Sequence, residues 1–353
     1  MRVGNIIFLG LLSLFAFILF INPQQIKNVI FHKAFNFFLL LNIINVLYWL
    51  FFHSFSDYEA GKYLLARGIQ FAIISFSVYY HFEYYKNKFL EHLVYIIFGM
   101  ILISLVANLN IFSGRYSGII WNPNALASFS VVGFSALLLH EKKKTNFNYF
   151  LLFIFLIISL STGSRGVLIG IPLAFVFKFG FSMRNIIFAA LASFAYLMII
   201  TTQMDTSVNR FAEQSLFNDR LLQYEYAFTS IQNKPFFGYG LDKYSYIDKS
   251  LVPTFLKDKI VGAHNGYLAL LTQYGIIFGG LILYIIFWQS YKLILFFRNS
   301  LGYERVYLFI IIYTLIAAGY ESLITGINEF QTILFWFALA FLSYSKFNQE
   351  NAN

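Results

Sequence analysis

The stretch GIIFGGLILYIIFWQSYKLILF, residues 275–296, decides the fold class. Its only Lys, Arg, Asp or Glu is Lys292. Wound as an α-helix it runs about 33 Å, enough to cross the ~30 Å hydrocarbon core of a bilayer. Similar apolar runs lie on either side of it, near 5–21, 34–52, 63–80, 90–109, 123–140, 147–161, 166–180, 185–201, 305–321 and 330–346. The runs at 147–161 and 166–180 are short, and each can extend into its neighbouring turn. The chain is 59% hydrophobic and only 12% charged, where a soluble domain carries about 25% charged residues. A lipid-solvated, all-α polytopic membrane protein with about eleven spans is therefore expected, twelve if one N-terminal helix escapes the count. No strand pattern, 20–50-residue repeat or inverted repeat is evident.

Cysteine is absent. That excludes disulfides, thiolate catalysis, Cys-ligated zinc and iron–sulfur clusters. The first run lacks an A-x-A-like cleavage site and a basic flank beyond Arg2, so it is expected to be retained as a helix. The net charge of +9 is read by position, not as affinity for nucleic acid. Lys27, Lys33, Lys86, Lys88, Lys142 to Lys144, Lys178, Arg184, Lys292, Arg298, Arg305 and Lys346 fall at one set of helix ends. The opposite short connections hold only Arg2, Lys62, Arg115 and Arg165. Basic residues favour the cytoplasmic side. The N-terminus is then expected outside and the C-terminus inside, with one long loop, about 202–262, on the outer face. The expected organisation is an N-terminal transmembrane bundle (1–201), a loop with amphipathic and interfacial helices (202–274) and C-terminal transmembrane helices (275–353).

Within the loop, Asn218 can cap a helix carrying Leu221, Tyr224, Phe228 and Ile231 on one stripe, stopped by Asn233-Lys234-Pro235. Arg220 lies in its first turn. The plain alternative is a helix on the membrane surface with Arg220 solvated. PFFGYG (235–240) comes next as a tight turn with close backbone approach; a G-x-G without a preceding strand is poor support for a nucleotide site. VGAHNGYLALLTQYG (261–275) reads as a short interfacial helix interrupted at Gly275. It places His264 and Asn265 at an N-terminal edge, where the helix dipole disfavours a charged imidazole.

Cations inside apolar surroundings are expensive and are candidates for function. Arg165 stands in STGSRGVLIG between Gly163 and Gly166, which permit close backbone approach. Arg67 stands in YLLARGIQF, where snorkelling to the outer headgroups is an equal alternative. Arg115 precedes WNPN (121–124), a turn opening a helix with Pro123 near its first position. The histidines (His32, His53, His81, His92, His140 and His264) form no H-x-x-H or H-E-x-x-H pair, so neither a protein-ligated metal nor a cofactor is expected. No G-x-S-x-G or P-loop is present, which argues against a serine hydrolase and an ATP-driven pump.

Taken in order, RYSGIIWNPN (115–124), GSRG (163–166), an Arg heading the loop helix ahead of PFFGYG, and AHN (263–265) followed by L-x-x-L and Gly resemble the O-antigen ligase and O-antigen polymerase superfamily. The resemblance covers roughly residues 110–280. It implies a bacterial inner-membrane glycosyltransferase with its active site facing the periplasm. It implies a polyprenyl-diphosphate-linked glycan donor and a glycan or glycolipid acceptor, with a chain-length regulator as a further partner. Arg165 and Arg220 match the family's two essential arginines and His264 its essential histidine; Arg115, Asn265, Arg67 and Asn124 are expected to bind substrate. Family members often have twelve spans with both termini inside, which the count here does not reproduce. Guanidinium forks suit phosphate oxygens, and a neutral His can accept a hydroxyl proton. Transfer is then expected to invert the anomeric centre without a metal. The loop's Tyr239, Tyr244 and Tyr246 are candidates for stacking on sugars, or equally for an interfacial aromatic belt. The motifs do not divide polymerase from ligase; the compact chain and loop tilt the reading to a polymerase. A lipid-glycan flippase without covalent chemistry is the alternative from another class.

Overall fold

A computed structural model describes residues 23–54, 56–111, 115–140, 144–180, 182–185, 218–257 and 262–352, with single positions at 10, 13, 14, 17, 18, 21, 187, 190 and 191. The runs expected at 5–21 and 185–201, and the first part of the loop, lie for the most part outside the described residues. The helices are α1 (Pro23–Ile30), α2 (Asn36–Phe52), α3 (Tyr58–Tyr80), α4 (Phe82–Asn87), α5 (Phe89–Ala107), α6 (Pro123–Leu139), α7 (Asn146–Ser161), α8 (Arg165–Phe179), α9 (Asn218–Asn233), α10 (Gly266–Phe297), α11 (Tyr303–Ala317) and α12 (Phe330–Ala352). Among the described residues there is no strand. Among the described residues, four helical stretches are long and apolar enough to cross a membrane: Lys33–Phe52, Phe89–Ala107, Gly266–Phe297 and Phe330–Ala352. Shorter apolar helices, Pro123–Leu139, Asn146–Ser161 and Gly166–Phe179, fall on three of the expected runs.

The helix starts follow from local chemistry. Asn122 accepts hydrogen bonds from the N–H groups of Asn124 (2.9 Å) and Ala125 (3.4 Å), with Pro123 in the first turn of α6. Thr145 caps α7 and Asp57 caps α3 in the same way. Each cap supplies an acceptor to an orphan backbone donor.

Contacts divide the chain into two units, each built from separate stretches. The first comprises Met1–Phe82, Arg220–Phe296 and Ala318–Asn353. In it α12 packs on α3 and on the 3-10 turn Lys33–Phe35, and α2 packs on α3. From Leu334 to Leu342, α12 is buried on every side, as a span inside a bundle must be. The second unit comprises Glu83–Asp219 and Phe297–Ala317. Its centre is α6, which packs on α5, α7, α8 and α11.

The first unit contains a broken helix. At Gly275 the backbone of α10 leaves helical geometry (φ 70°, ψ −179°). That region is essentially reserved for glycine. The break frees carbonyls and N–H groups that an apolar surrounding cannot satisfy. PFFGYG supplies the partners. Tyr239 and Gly240 donate their N–H groups to the carbonyls of Thr272 (2.9 Å) and Gln273 (3.0 Å), while Ile276 donates to the carbonyl of Pro235 (2.7 Å). The Tyr48 hydroxyl sits between the two segments, against the carbonyls of Gln273 and Phe237. A Cβ at Gly275 would collide with the Phe236 carbonyl, and one at Gly238 would fall 2.5 Å from the Gly275 nitrogen. The tight turn with close backbone approach expected at PFFGYG thus finds its counterpart in the broken helix.

Candidate functional site

The run expected to be helical to residue 321 stops at Ala317. Beyond it, residues 318–329 (AGYESLITGINE) form an irregular connector to α12. Past Ala317 the carbonyls accept from other elements instead of from a further helical turn. The Gly266 N–H reaches the carbonyls of Ala318 (2.7 Å) and Glu321 (2.9 Å). Gly319's carbonyl accepts from the Tyr224 hydroxyl (3.0 Å) and from Asn265 Nδ2 (2.9 Å). The Arg220 guanidinium donates to the carbonyl of Tyr320 and lies over that residue's ring. Successive carbonyls of one segment therefore bind α9 and the start of α10 together.

Arg220 also meets a carboxylate: Nη2 donates to Glu321 Oε1 at 2.8 Å, with the two side chains 18% and 25% exposed. A hydrogen bond to a charged group in such a setting contributes about 1.5–3 kcal/mol. The alternative of a solvated Arg220 on a surface helix is therefore not what the fold holds. The buried face of α9 also differs from the expected stripe. Leu221 and Phe228 are exposed, while Gln223, Ala227, Ser230 and Ile231 are buried. Ala227 and Ile231 join Ile247, Val252, Ala263 and Leu268 in a small core. That core, built from α9, the loop and the first turn of α10, sets where Arg220 stands relative to residues 263–268. The rotation of the stripe follows from the polar groups: Ser230 Oγ accepts from the Asp248 N–H (2.8 Å) and must face inward.

Asn265 is the N-cap of α10. Its Oδ1 accepts from the N–H groups of Tyr267 (2.9 Å) and Leu268 (3.1 Å) while Nδ2 holds Gly319. This amide is engaged by the fold and acts to position its neighbour. His264 directly precedes it, half-buried, at a left-handed backbone angle of φ 41°. Such angles are uncommon outside glycine. Of the four non-glycine residues with positive φ among the described residues, Ser245 (52°), His264 (41°) and Ile324 (78°) belong to this neighbourhood; the fourth is Trp121. Ser245 Oγ lies 3.1 Å from Ser322 Oγ and accepts from the Ala263 N–H at 3.1 Å. Strain held in place by a network of this kind is characteristic of sites that fix a side chain's direction.

Arg67 does not snorkel. It is 3% exposed and donates to Gln70 Oε1 (2.9 Å), to the Tyr63 hydroxyl (3.2 Å) and to the carbonyl of Thr325. Gln70 in turn donates to the Ile327 carbonyl (2.7 Å). Arg67 thus anchors the connector from behind. Beside it, Glu329 accepts from Thr332 Oγ1 at 3.2 Å and lies 3.5 Å from the Tyr244 hydroxyl. Burial raises the Glu329 carboxyl above its ordinary range. Burial likewise pushes the Tyr244 hydroxyl up, with Glu329 adding to it. Tyr244 donates to the Ser322 carbonyl (2.6 Å), and the rings of Tyr239 and Tyr246 pack against each other at a tilt of 34° with centres 4.4 Å apart.

Arg115, Asn124 and Arg165 belong to the second unit. Arg115 Nη2 donates to Asn124 Oδ1 (2.6 Å) and its Nε to the Thr162 carbonyl (3.2 Å). The Tyr116 N–H reaches the Ser161 carbonyl at 3.1 Å. These bonds fasten the segment after residue 115 to the turn before α8. Gly163 turns left-handed there (φ 57°), and Arg165 is the first residue of α8. Arg115, Asn124 and the Arg165 backbone are thereby brought together, as are Arg220, His264, Asn265 and Arg67 in the first unit.

Three possible metal ligands approach one another: the ligand atoms of His53, Asp57 and Asp242 lie within 4.8 Å. Both imidazole nitrogens are engaged, however. Nδ1 pairs with Asp57 Oδ2 (2.6 Å), and Nε2 accepts from the Leu241 N–H (3.0 Å). With Nε2 accepting, Nδ1 is the nitrogen that donates to Asp57. Asp57 is held below the usual carboxylate range by the His53 hydrogen bond and then by the Ala60 N–H. The group reads as a clamp between the start of α3 and the end of PFFGYG.

The residues that sequence reasoning missed are Tyr320, Glu321 and Glu329. They fall in or beside an apparently short connection, and two carboxylates there were the available signal. Residues 150–285 match the family described as O-antigen ligase, a stretch that includes Arg165, Arg220, His264 and Asn265. This match supports the superfamily resemblance read from the motifs. No curated protein matches the chain.

Proposed function

We propose that this protein transfers glycan from a polyprenyl-diphosphate-linked donor at the periplasmic face of a bacterial inner membrane, and that it does so as a polymerase of O-antigen or a related surface polysaccharide. The observation that carries the reading is the convergence of α9 and the start of α10 on residues 318–321. It sets Arg220 and His264 in one framework, inside a stretch matching the O-antigen ligase family.

The diphosphate is already a competent leaving group. The protein has to place an acceptor hydroxyl behind the anomeric carbon and balance the departing charge. Arg220 retains N–H donors beyond those given to Tyr320 and Glu321, suited to phosphate oxygens. Arg165, which the motif resemblance matches to the family's other essential arginine, is proposed on that resemblance as a second phosphate-binding residue. His264 takes the hydroxyl proton as the acceptor oxygen bonds to the anomeric carbon and the carbon–diphosphate bond breaks. One displacement inverts the centre, and no metal is needed to carry the charge. Such base assistance is typically worth roughly 10²–10⁴-fold.

The family's description as an O-antigen ligase favours a second reading, in which the acceptor is lipid A-core. Deletion in the native host separates the two. Lipopolysaccharide capped with a single repeat supports the polymerase; undecorated core with retained polymer supports the ligase.

A further inference from the structure

At the other end of the first unit lies a cavity of 580 Å³, opening between α2, α10 and α12. Three lysines from separate elements line it: Lys33 ahead of α2, Lys292 on α10 and Lys346 on α12. All three sit at helix ends that the positive-inside rule assigns to the cytoplasmic side. Lys292 and Lys346 repel one another. Glu350, 3.5 Å from Lys346, is the one acidic residue among the lining residues, so the cavity keeps a net positive charge.

The cavity is also graded along the helices. Its charged end carries the three lysines with Asn36 and Asn351, while Leu40 and Tyr284 mark its apolar end. Tyr284 and Lys292 are two turns apart on α10, about 12 Å along the axis. The ammonium groups stand near aromatic faces, Lys292 at 5.9 Å from the Trp288 ring centre and Lys346 at 5.2 Å from that of Phe296. These rings hold the lysine stems toward the membrane interface without neutralising them. A soluble anion would use only the charged end of such a site. A molecule with a phosphate at one end and an acyl chain at the other would use all of it.

We propose that this cavity binds an anionic phospholipid of the inner leaflet, the phosphate between Lys33, Lys292 and Lys346 and the first part of an acyl chain along Tyr284 and Leu40. Basic pockets between spanning helices on the cytoplasmic side have the chemistry to select such headgroups. The site is independent of the glycan-transfer reading.

The test uses the full chain purified in detergent, exposed to phosphatidylglycerol or to phosphatidylcholine, with retained lipid measured by native mass spectrometry. Wild-type protein is expected to keep phosphatidylglycerol in preference to phosphatidylcholine. Each lysine removed, as in Lys292→Gln or Lys346→Gln, is expected to weaken retention roughly five-fold, the effect of one basic residue at an anionic surface. The double variant Lys86→Gln/Lys88→Gln, which removes two basic residues of the other unit, is expected to retain lipid as wild type does. Equal retention of the two lipids would overturn the proposal. So would an equal loss in the Lys86/Lys88 control, or full displacement of phosphatidylglycerol by inorganic phosphate at matched concentration.

Discussion

Arg220 and Glu321 meet at 2.8 Å, and the same guanidinium holds the carbonyl of Tyr320, so the first turn of α9 is locked to the connector after α11. If this lock aims the fork at a diphosphate, a point charge cannot replace it. Arg220→Ala is expected to lower kcat by ~10²-fold or more, the scale of losing one preorganised donor to developing charge. Arg220→Lys should recover little. Glu321→Gln keeps a hydrogen-bond acceptor and should cost less than Glu321→Ala. Initial rates of transfer on a lipid-diphosphate glycan check all four variants.

The Asn265 side chain caps α10 and ties His264 to Gly319. Asn265→Ala is expected to destabilise the protein by about 1 kcal/mol, the usual worth of a cap. It should also reduce kcat, since His264 loses its support. Asn265→Asp keeps the capping oxygen but not the donor to Gly319. It should restore stability and leave kcat low. Thermal unfolding in detergent alongside initial rates distinguishes the two effects.

Gly275 occupies a backbone region closed to other residues and has no room for a Cβ. Gly275→Ala is expected to cost at least 1–3 kcal/mol, roughly the strain of holding one residue in a disfavoured conformation. Proteolysis between residues 235 and 240 should quicken at the same time, because PFFGYG is paired to the break. A variant with unchanged melting temperature and unchanged proteolysis would contradict the pairing.

Burial raises the carboxyl of Glu329 above its ordinary value. An acid whose pKa is higher in the folded state binds its proton more tightly there. Its contribution is fully present below the unfolded value of ~4.3 and is lost as pH rises through the raised folded value. Glu329→Gln removes the group that must ionise. The variant is expected to melt close to wild type in acid and above it at neutral pH. Melting temperatures measured across that range, with Arg67 left intact, provide the check.

Much of the fold was readable in the residues, and the reasons are local. The run 275–296 declares a span because a helix of that length and apolarity has few other places to lie. Asn122-Pro123 marks the start of α6 because a cap and a preset φ act within one turn. The interruption at Gly275 was visible for the same reason. What escaped depended on distant partners. The buried face of α9 is turned because Ser230 must reach Asp248. The carbonyls past Ala317, where α11 ends, bind donors from α9 and α10 far away in the chain. Arg67 looked equally suited to snorkelling, and its bonds to Gln70, Tyr63 and the distant Thr325 carbonyl decide otherwise. Glu321 carried no pattern of its own; its meaning comes from Arg220, a hundred residues earlier in the chain.

The most direct measurement reconstitutes the purified protein in proteoliposomes with a synthetic polyprenyl-diphosphate-linked oligosaccharide and assays for new glycosidic bonds. The expected result is elongated lipid-linked glycan with inverted linkage from wild-type protein, and none from His264→Ala protein that remains folded in the membrane. Turnover at the wild-type rate in His264→Ala, or no bond formation by wild type with the lipid accessible, would contradict it.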